Sequence, residues 1–178
     1  MKIGYKQLFP LVMLVMLTIT GCQHDPYADW FVTKDVAGNV LAGSYHVTPE
    51  TIERFSNKEM PFIPGGRLPI SREARIVLNS NHKVSLANIP IDWVKPALCI
   101  LNGNGDWKVD KREDYTIVFV TLTAAYASPA GCPNGQFGFA LELFDDSALH
   151  PRSRTKYPLL HLTIGDPDSG DALQFEKD

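Results

Sequence analysis

Hydrophobic positions follow two different rules along this chain. From Leu8 to Ile19 nearly every residue is apolar, with no alternation. Beyond about residue 39, apolar and polar residues alternate in short runs set apart by Gly, Pro, Asn and Asp, the period-two signature of strands with one buried face. The runs are VLAGSYHV (40–47), ARIVLNS (74–80), KVSLANI (83–89), ALCILNG (97–103), DWKV (106–109), YTIVFVTLTA (115–124), QFGFALELF (136–144), PLLHLTI (158–164) and ALQFEK (172–177). YTIVFVTLTA is β-branched and aromatic enough for a central strand.

Two kinds of punctuation interrupt the alternation. In TPETIERF (48–55), Thr48 is placed to cap a helix and Pro49 suits its first turn, which predicts one short helix. NSNH (79–82) and the Gly, Asp, Pro and Ser residues of 165–171 read as turns, and the second predicts a terminal hairpin. The whole pattern predicts a mainly β domain over residues 39–178, a small antiparallel barrel or sandwich of about seven to eight strands with one short helix. Barrel and sandwich generate the same alternation, so both remain open.

The first apolar run is too short for a membrane span, which needs about 20 helical residues. It follows Lys2 and Lys6 and ends in small residues, the layout of an export signal. Ile19, Thr20, Gly21 and Cys22 resemble the lipobox of bacterial lipoproteins. That resemblance implies thioether lipidation of Cys22, cleavage after Gly21 and acylation of the new amine. More than one acyl chain makes such attachment close to permanent, each buried methylene contributing about 0.8 kcal/mol. Gln23 follows the cysteine where an Asp favours inner-membrane retention in enterobacterial lipoproteins, so the resemblance implies the outer membrane, facing periplasm or surface. The expected organisation is a signal peptide over 1–21, a lipidated Cys22 with a polar tether to residue 38, and one domain over 39–178.

Loss of residues 1–21 leaves 157 residues, enough for one core, with 15 basic against 20 acidic side chains. A net charge of about −5 and the lack of a basic cluster with interleaved aromatics argue against a nucleic-acid partner. With Cys22 assigned to the anchor, Cys99 and Cys132 remain as an even pair in an oxidising compartment, and a disulfide between them is expected. No Cys-x-x-Cys spacing marks a redox site.

The mature domain loosely resembles lipocalin-like and other small-barrel bacterial lipoproteins: a Gly-x-Tyr strand (Gly43, Tyr45), a short helix, then a meander. Such a likeness implies a hydrophobic ligand in the barrel mouth, whereas a packed barrel of the same strand count has none.

Candidate chemistry is sparse. Asn102, Asn104, Asp106, Asp110 and Glu113 take calcium-loop spacing, but Trp107 occupies the position that requires Gly, and Gly103 and Gly105 read as a turn into DWKV. DPDSGD (166–171) reads as a solvated turn rather than an ion site. His24, His46, His82, His150 and His161 stand singly, without metal-ligand spacing, and no nucleophile elbow, His-Glu-x-x-His pair or phosphate loop is present. The expectation is therefore a non-enzyme with no metal and no cofactor. In KEMPFIPGGRLPISR (58–72), Phe62 and Arg67 are the residue types that anchor interfaces, and Trp93 and Trp107 are core residues or pocket walls. These four are the expected ligand or partner surface. Protein recognition, as an envelope accessory or an inhibitor or immunity-type lipoprotein, is the first expectation. Carriage of a small hydrophobic ligand is the second, and an envelope hydrolase the third.

Overall fold

In a computed structural model, the described residues are 28–59, 68, 70–92, 98–128, 135–145, 158–164 and 171–178. Eight antiparallel strands close into a barrel in sequence order, each pairing with its neighbour and β8 returning to β1. They are β1 (Gly43–Val47), β2 (Arg75–Leu78), β3 (Lys83–Asp92), β4 (Leu98–Lys111), β5 (Thr116–Ser128), β6 (Phe137–Phe144), β7 (Leu159–Thr163) and β8 (Ala172–Lys177). The barrel alternative is therefore the one realised, and closure removes the exposed edges that a sandwich of this size would have to protect. Among the described residues two short α-helices accompany the strands, α1 (Gly38–Leu41) and the expected α2 (Pro49–Asn57), with a 3-10 turn at Ala28–Trp30.

The alternation read from the sequence is the inside-outside alternation of the barrel. Ile76 and Leu78 of β2, Val84 and Leu86 of β3, and Leu101 and Trp107 of β4 are buried, while Asn104, Asp106 and Lys108 between them face water. In β3 the inward residues jump from Leu86 to Ile89, a spacing of three that a regular strand cannot place on one face. A bulge absorbs the extra residue: Leu86 pairs with Gly103 and Ile89 with Leu101. Asn88 takes a φ of 54° there, and its N–H donates to Asn102 Oδ1 at 2.9 Å.

A second bulge, at Asn104/Gly105, explains the glycine. A Cβ on Gly105 would stand 2.0 Å from the Thr121 carbonyl oxygen, so the backbones approach more closely than any side chain permits. No turn forms at Gly103 and Gly105, contrary to the sequence reading. ALCILNG and DWKV are one 14-residue strand, β4. Asn102, Asn104, Asp106 and Asp110 are consequently strung along an extended chain rather than wrapped about a point. Asp106 instead receives Lys83 Nζ at 2.6 Å.

The helix α2 forms as its sequence predicts. Thr48 Oγ1 accepts from the Thr51 N–H at 3.2 Å, Pro49 opens the first turn, and Phe55 is fully buried against the barrel core. By contrast, VLAGSYHV is not one strand. Val40 and Leu41 belong to α1, and the strand starts at Gly43.

Candidate functional site

Three places on the barrel offer candidate surfaces: its interior, an outer-face cluster around His46, and a strap formed by the N-terminal segment. Among the described residues, the interior is filled by side chains. Tyr45, Phe55, Ile76, Leu78, Ile89, Leu101, Leu122 and Phe175 each have under 2% of their surface accessible, so no water-sized space adjoins them. An eight-stranded barrel is wide enough either to be filled by its own side chains or to hold one small ligand, and these buried residues take the first course. The Tyr45 hydroxyl, the polar atom at risk inside, donates to the Leu41 carbonyl at 2.7 Å. Trp107 is a core residue: it is 3% exposed and its Nε1 donates to the Asn79 carbonyl at 2.9 Å. Its ring lies against His82, with centroids 5.2 Å apart, and Gly38 approaches closely enough that a Cβ there would sit 3.5 Å from it.

On the outer face of β1 and β8, His46 stands between two carboxylates. Its Nδ1 is 2.7 Å from Asp178 Oδ1 and its Nε2 is 3.1 Å from Glu176 Oε1. Arg75 lies 3.9 Å from the other Asp178 oxygen. Ser44, ahead of the opposing effect of burial and the help of His46 and Arg75, holds the Asp178 carboxyl below its usual range. With both ring nitrogens engaged by acids and the Ser44 side chain beside Asp178, the cluster ties β1, β2 and β8 together. Among the described residues no group of three or more His, Cys, Asp or Glu side chains is placed to hold a metal ion.

The strap is the feature that the sequence pattern conceals. Residues 23–38 read as a polar tether, yet the stretch from Trp30 onward is docked. Where β5 and β6 splay at one end, Val32 fits between them: its N–H donates to Leu143 at 2.8 Å and its carbonyl accepts from Thr116 at 2.9 Å. The Asp145 N–H donates to the Trp30 carbonyl at 2.8 Å, and Thr116 Oγ1 donates to Lys34 at 3.1 Å. The chain then crosses that end of the barrel, and α1 sets Leu41, fully buried, into its mouth.

Under the strap lies a second apolar cluster, on the outside of the barrel. Phe31 meets Tyr115 at 5.3 Å, Phe144 at 6.4 Å and His161 at 5.8 Å, while Phe144 stacks on His161 at 5.3 Å. Trp30 adds an edge contact with Phe144 at 5.7 Å. His161 is only 1% exposed. Burial, reinforced by the Arg54 guanidinium, lowers its pKa to about 4, so the ring is neutral at ordinary pH. Arg54 itself donates to the Ala172 carbonyl, and its neighbour Lys58 pairs with the buried Asp171. The signal for the strap was present in the sequence as three consecutive apolar residues, Trp30, Phe31 and Val32, inside a polar stretch.

Of the residues expected to form a binding surface, only Trp107 is described. Phe62, Arg67 and Trp93 lie outside the described residues, as do Cys22 and Cys132. The flanking residue Leu68 is 4% exposed and part of the core, and Ile70 packs against it. Cys99 is 2% exposed and disulfide-bonded. No helix among the described residues is long and apolar enough to cross a membrane. Compared with protein-family models, curated proteins and solved structures, this chain matches none.

Proposed function

We propose that this chain is a lipid-anchored protein of the bacterial outer membrane that works by binding a protein partner, as an envelope accessory or an inhibitor or immunity-type lipoprotein. The observation that carries the reading is the filled interior. With Tyr45, Phe55, Leu101 and Phe175 all buried in one core cluster, binding falls to the outer face and the loops. The arrangement of faces supports an anchored, water-facing barrel rather than a spanning one. Transmembrane barrels are apolar outside and polar within, whereas here the interior is apolar and Arg75, Asp106 and Lys108 are outside. Cys22 carries the lipid in this reading, and Cys99 pairs with Cys132. Such a bridge contributes on the order of 3 to 4 kcal/mol by restricting the unfolded chain.

Two experiments test it. Cys22→Ser is expected to abolish acylation and release the chain from the membrane fraction; unchanged fractionation with the outer membrane overturns the anchor. Titration of the acylated protein with an apolar fluorescent probe is expected to give no saturable binding. A one-to-one isotherm displaced by fatty acid would overturn recognition from outside and put a carrier in its place.

A further inference from the structure

We propose that the strap is an acid-operated latch: when His161 takes up a proton, residues 30–32 leave the slot between β5 and β6 and uncover Phe144 and Tyr115, while the barrel itself stays closed. The inference is independent of the anchor reading of Cys22. It concerns a buried titratable side chain that partner recognition does not use.

The latch is built to open on its own. Among the described residues, three backbone hydrogen bonds join 30–32 to Leu143, Asp145 and Thr116, and Thr116 Oγ1 donates to Lys34. The walls of the slot do not depend on them. β5 and β6 pair directly from Ile117 opposite Glu142 to Leu122 opposite Phe137, and β6 pairs with β7 as far as Phe144 opposite Leu159. Phe31 rests on the outside of these strands, so its departure leaves the filled interior in place.

His161 is the group beneath the latch that acid can charge. It is buried, with Phe31 edge-on at 5.8 Å and Phe144 stacked at 5.3 Å. The charges around it pull both ways. Arg54 of α2 opposes a second positive charge. On β6, Glu142 stands in register with His161 and favours one, although its Oε2 also accepts from Thr163 at 3.5 Å. On β8 the register partner Gln174 is neutral, Glu176 is held by His46, and Asp171 is held by Lys58. The strap and rim bring Asp29, Lys34, Asp35 and Asp145, all exposed, with Asp35 turned to Lys111 at 2.8 Å. Burial prevails, with Arg54 behind it, and the docked ring takes a proton only near pH 4, whereas a ring freed by undocking does so near its ordinary 6.5. Between those values each unit of falling pH favours the undocked strap by about tenfold.

Hydrogen exchange of the purified chain tests the latch, each amide rate being divided by its intrinsic rate at the same pH. The amides of Val32, Thr116 and Asp145 report the latch, and Val118 and Val120 in the middle of β5 report the barrel. Between pH 6.5 and 4.5 the latch amides are expected to lose protection by about 100-fold, staying less protected than the barrel amides throughout. His161→Gln is expected to abolish the loss, and Asp35→Asn to leave it unchanged. Constant protection of the latch amides overturns the proposal. So does protection lost equally and to the same value at Val118 and Val120, which is unfolding of the whole barrel. An undiminished loss in His161→Gln, or one abolished by Asp35→Asn, overturns His161 as the trigger. Where His161→Gln fails to fold, the ring resonance of His161 in the unaltered chain decides: a docked ring that titrates near 6.5 overturns the coupling, and one that stays neutral to below about pH 5 supports it.

Discussion

The two ends of the barrel are closed by different physics. At the α2 end the closure is local in sequence: the helix follows β1 directly, is capped by Thr48 and sinks Phe55 into the core. At the strap end the closure comes from chain preceding β1, held by backbone hydrogen bonds to β5 and β6 and by ring contacts outside the barrel. The first plug is a side chain on a helix, whereas the second is a piece of backbone that completes the sheet where it splays. The α2 closure is thus independent of the chain preceding α1, and the strap closure is part of it.

The sharpest break in that comparison is to remove a large buried side chain near each closure. Trp107→Ala and Phe55→Ala are each expected to cost about 3–5 kcal/mol in denaturant unfolding, because both leave large voids against rigid neighbours. Only the strap-end variant is expected to speed hydrogen exchange at Val32 and Thr116. Equal exchange in both variants would mean that the ends are not separately closed.

Acid sharpens the comparison next. His161 has a folded pKa of about 4 against an unfolded value near 6.5, so the unfolded chain takes up the proton first as pH falls. Stability at the strap is therefore full above about pH 6.5 and declines toward pH 4, by up to about 3 kcal/mol at about 1.4 kcal/mol per pH unit. His161→Gln is expected to flatten that part of the pH profile between pH 7 and 5.5. A wild-type profile equally flat over that range would remove His161 as its cause.

Smaller effects follow at the other end and on the surface. Thr48→Ala removes the cap and is expected to cost about 1 kcal/mol, with loss confined to amides of α2. Lys83→Ala breaks the Asp106 pair, but with 61% and 51% of the two side chains exposed the change is expected to stay within about 0.5 kcal/mol. A large effect would place that pair in the core of the hairpin rather than on its surface.

Much of the fold was legible because the barrel interior obeys period two. ARIVLNS, KVSLANI, YTIVFVTLTA and QFGFALELF each became a strand with the apolar face inward, and Thr48 with Pro49 started the helix. The misreadings share one cause, since each needs a partner that local pattern does not reveal. Gly103 and Gly105 look like a turn until β5 passes close enough to require a missing Cβ. Trp30, Phe31 and Val32 look like part of a tether until Phe144 and His161 lie beneath them. Trp107 was ambiguous between core and pocket wall because exposure depends on whether the barrel is filled. The burial of His161 was not legible either, since cover by a distant segment leaves no local mark.

The claim that binding happens outside the barrel is tested most directly by weighing the protein. The purified chain is measured under native and then denaturing conditions. The filled interior predicts one mass, that of the covalent chain, in both. A defined small-molecule increment present only in the native state would contradict it, and would mean that Tyr45, Leu101 and Phe175 part to admit a ligand.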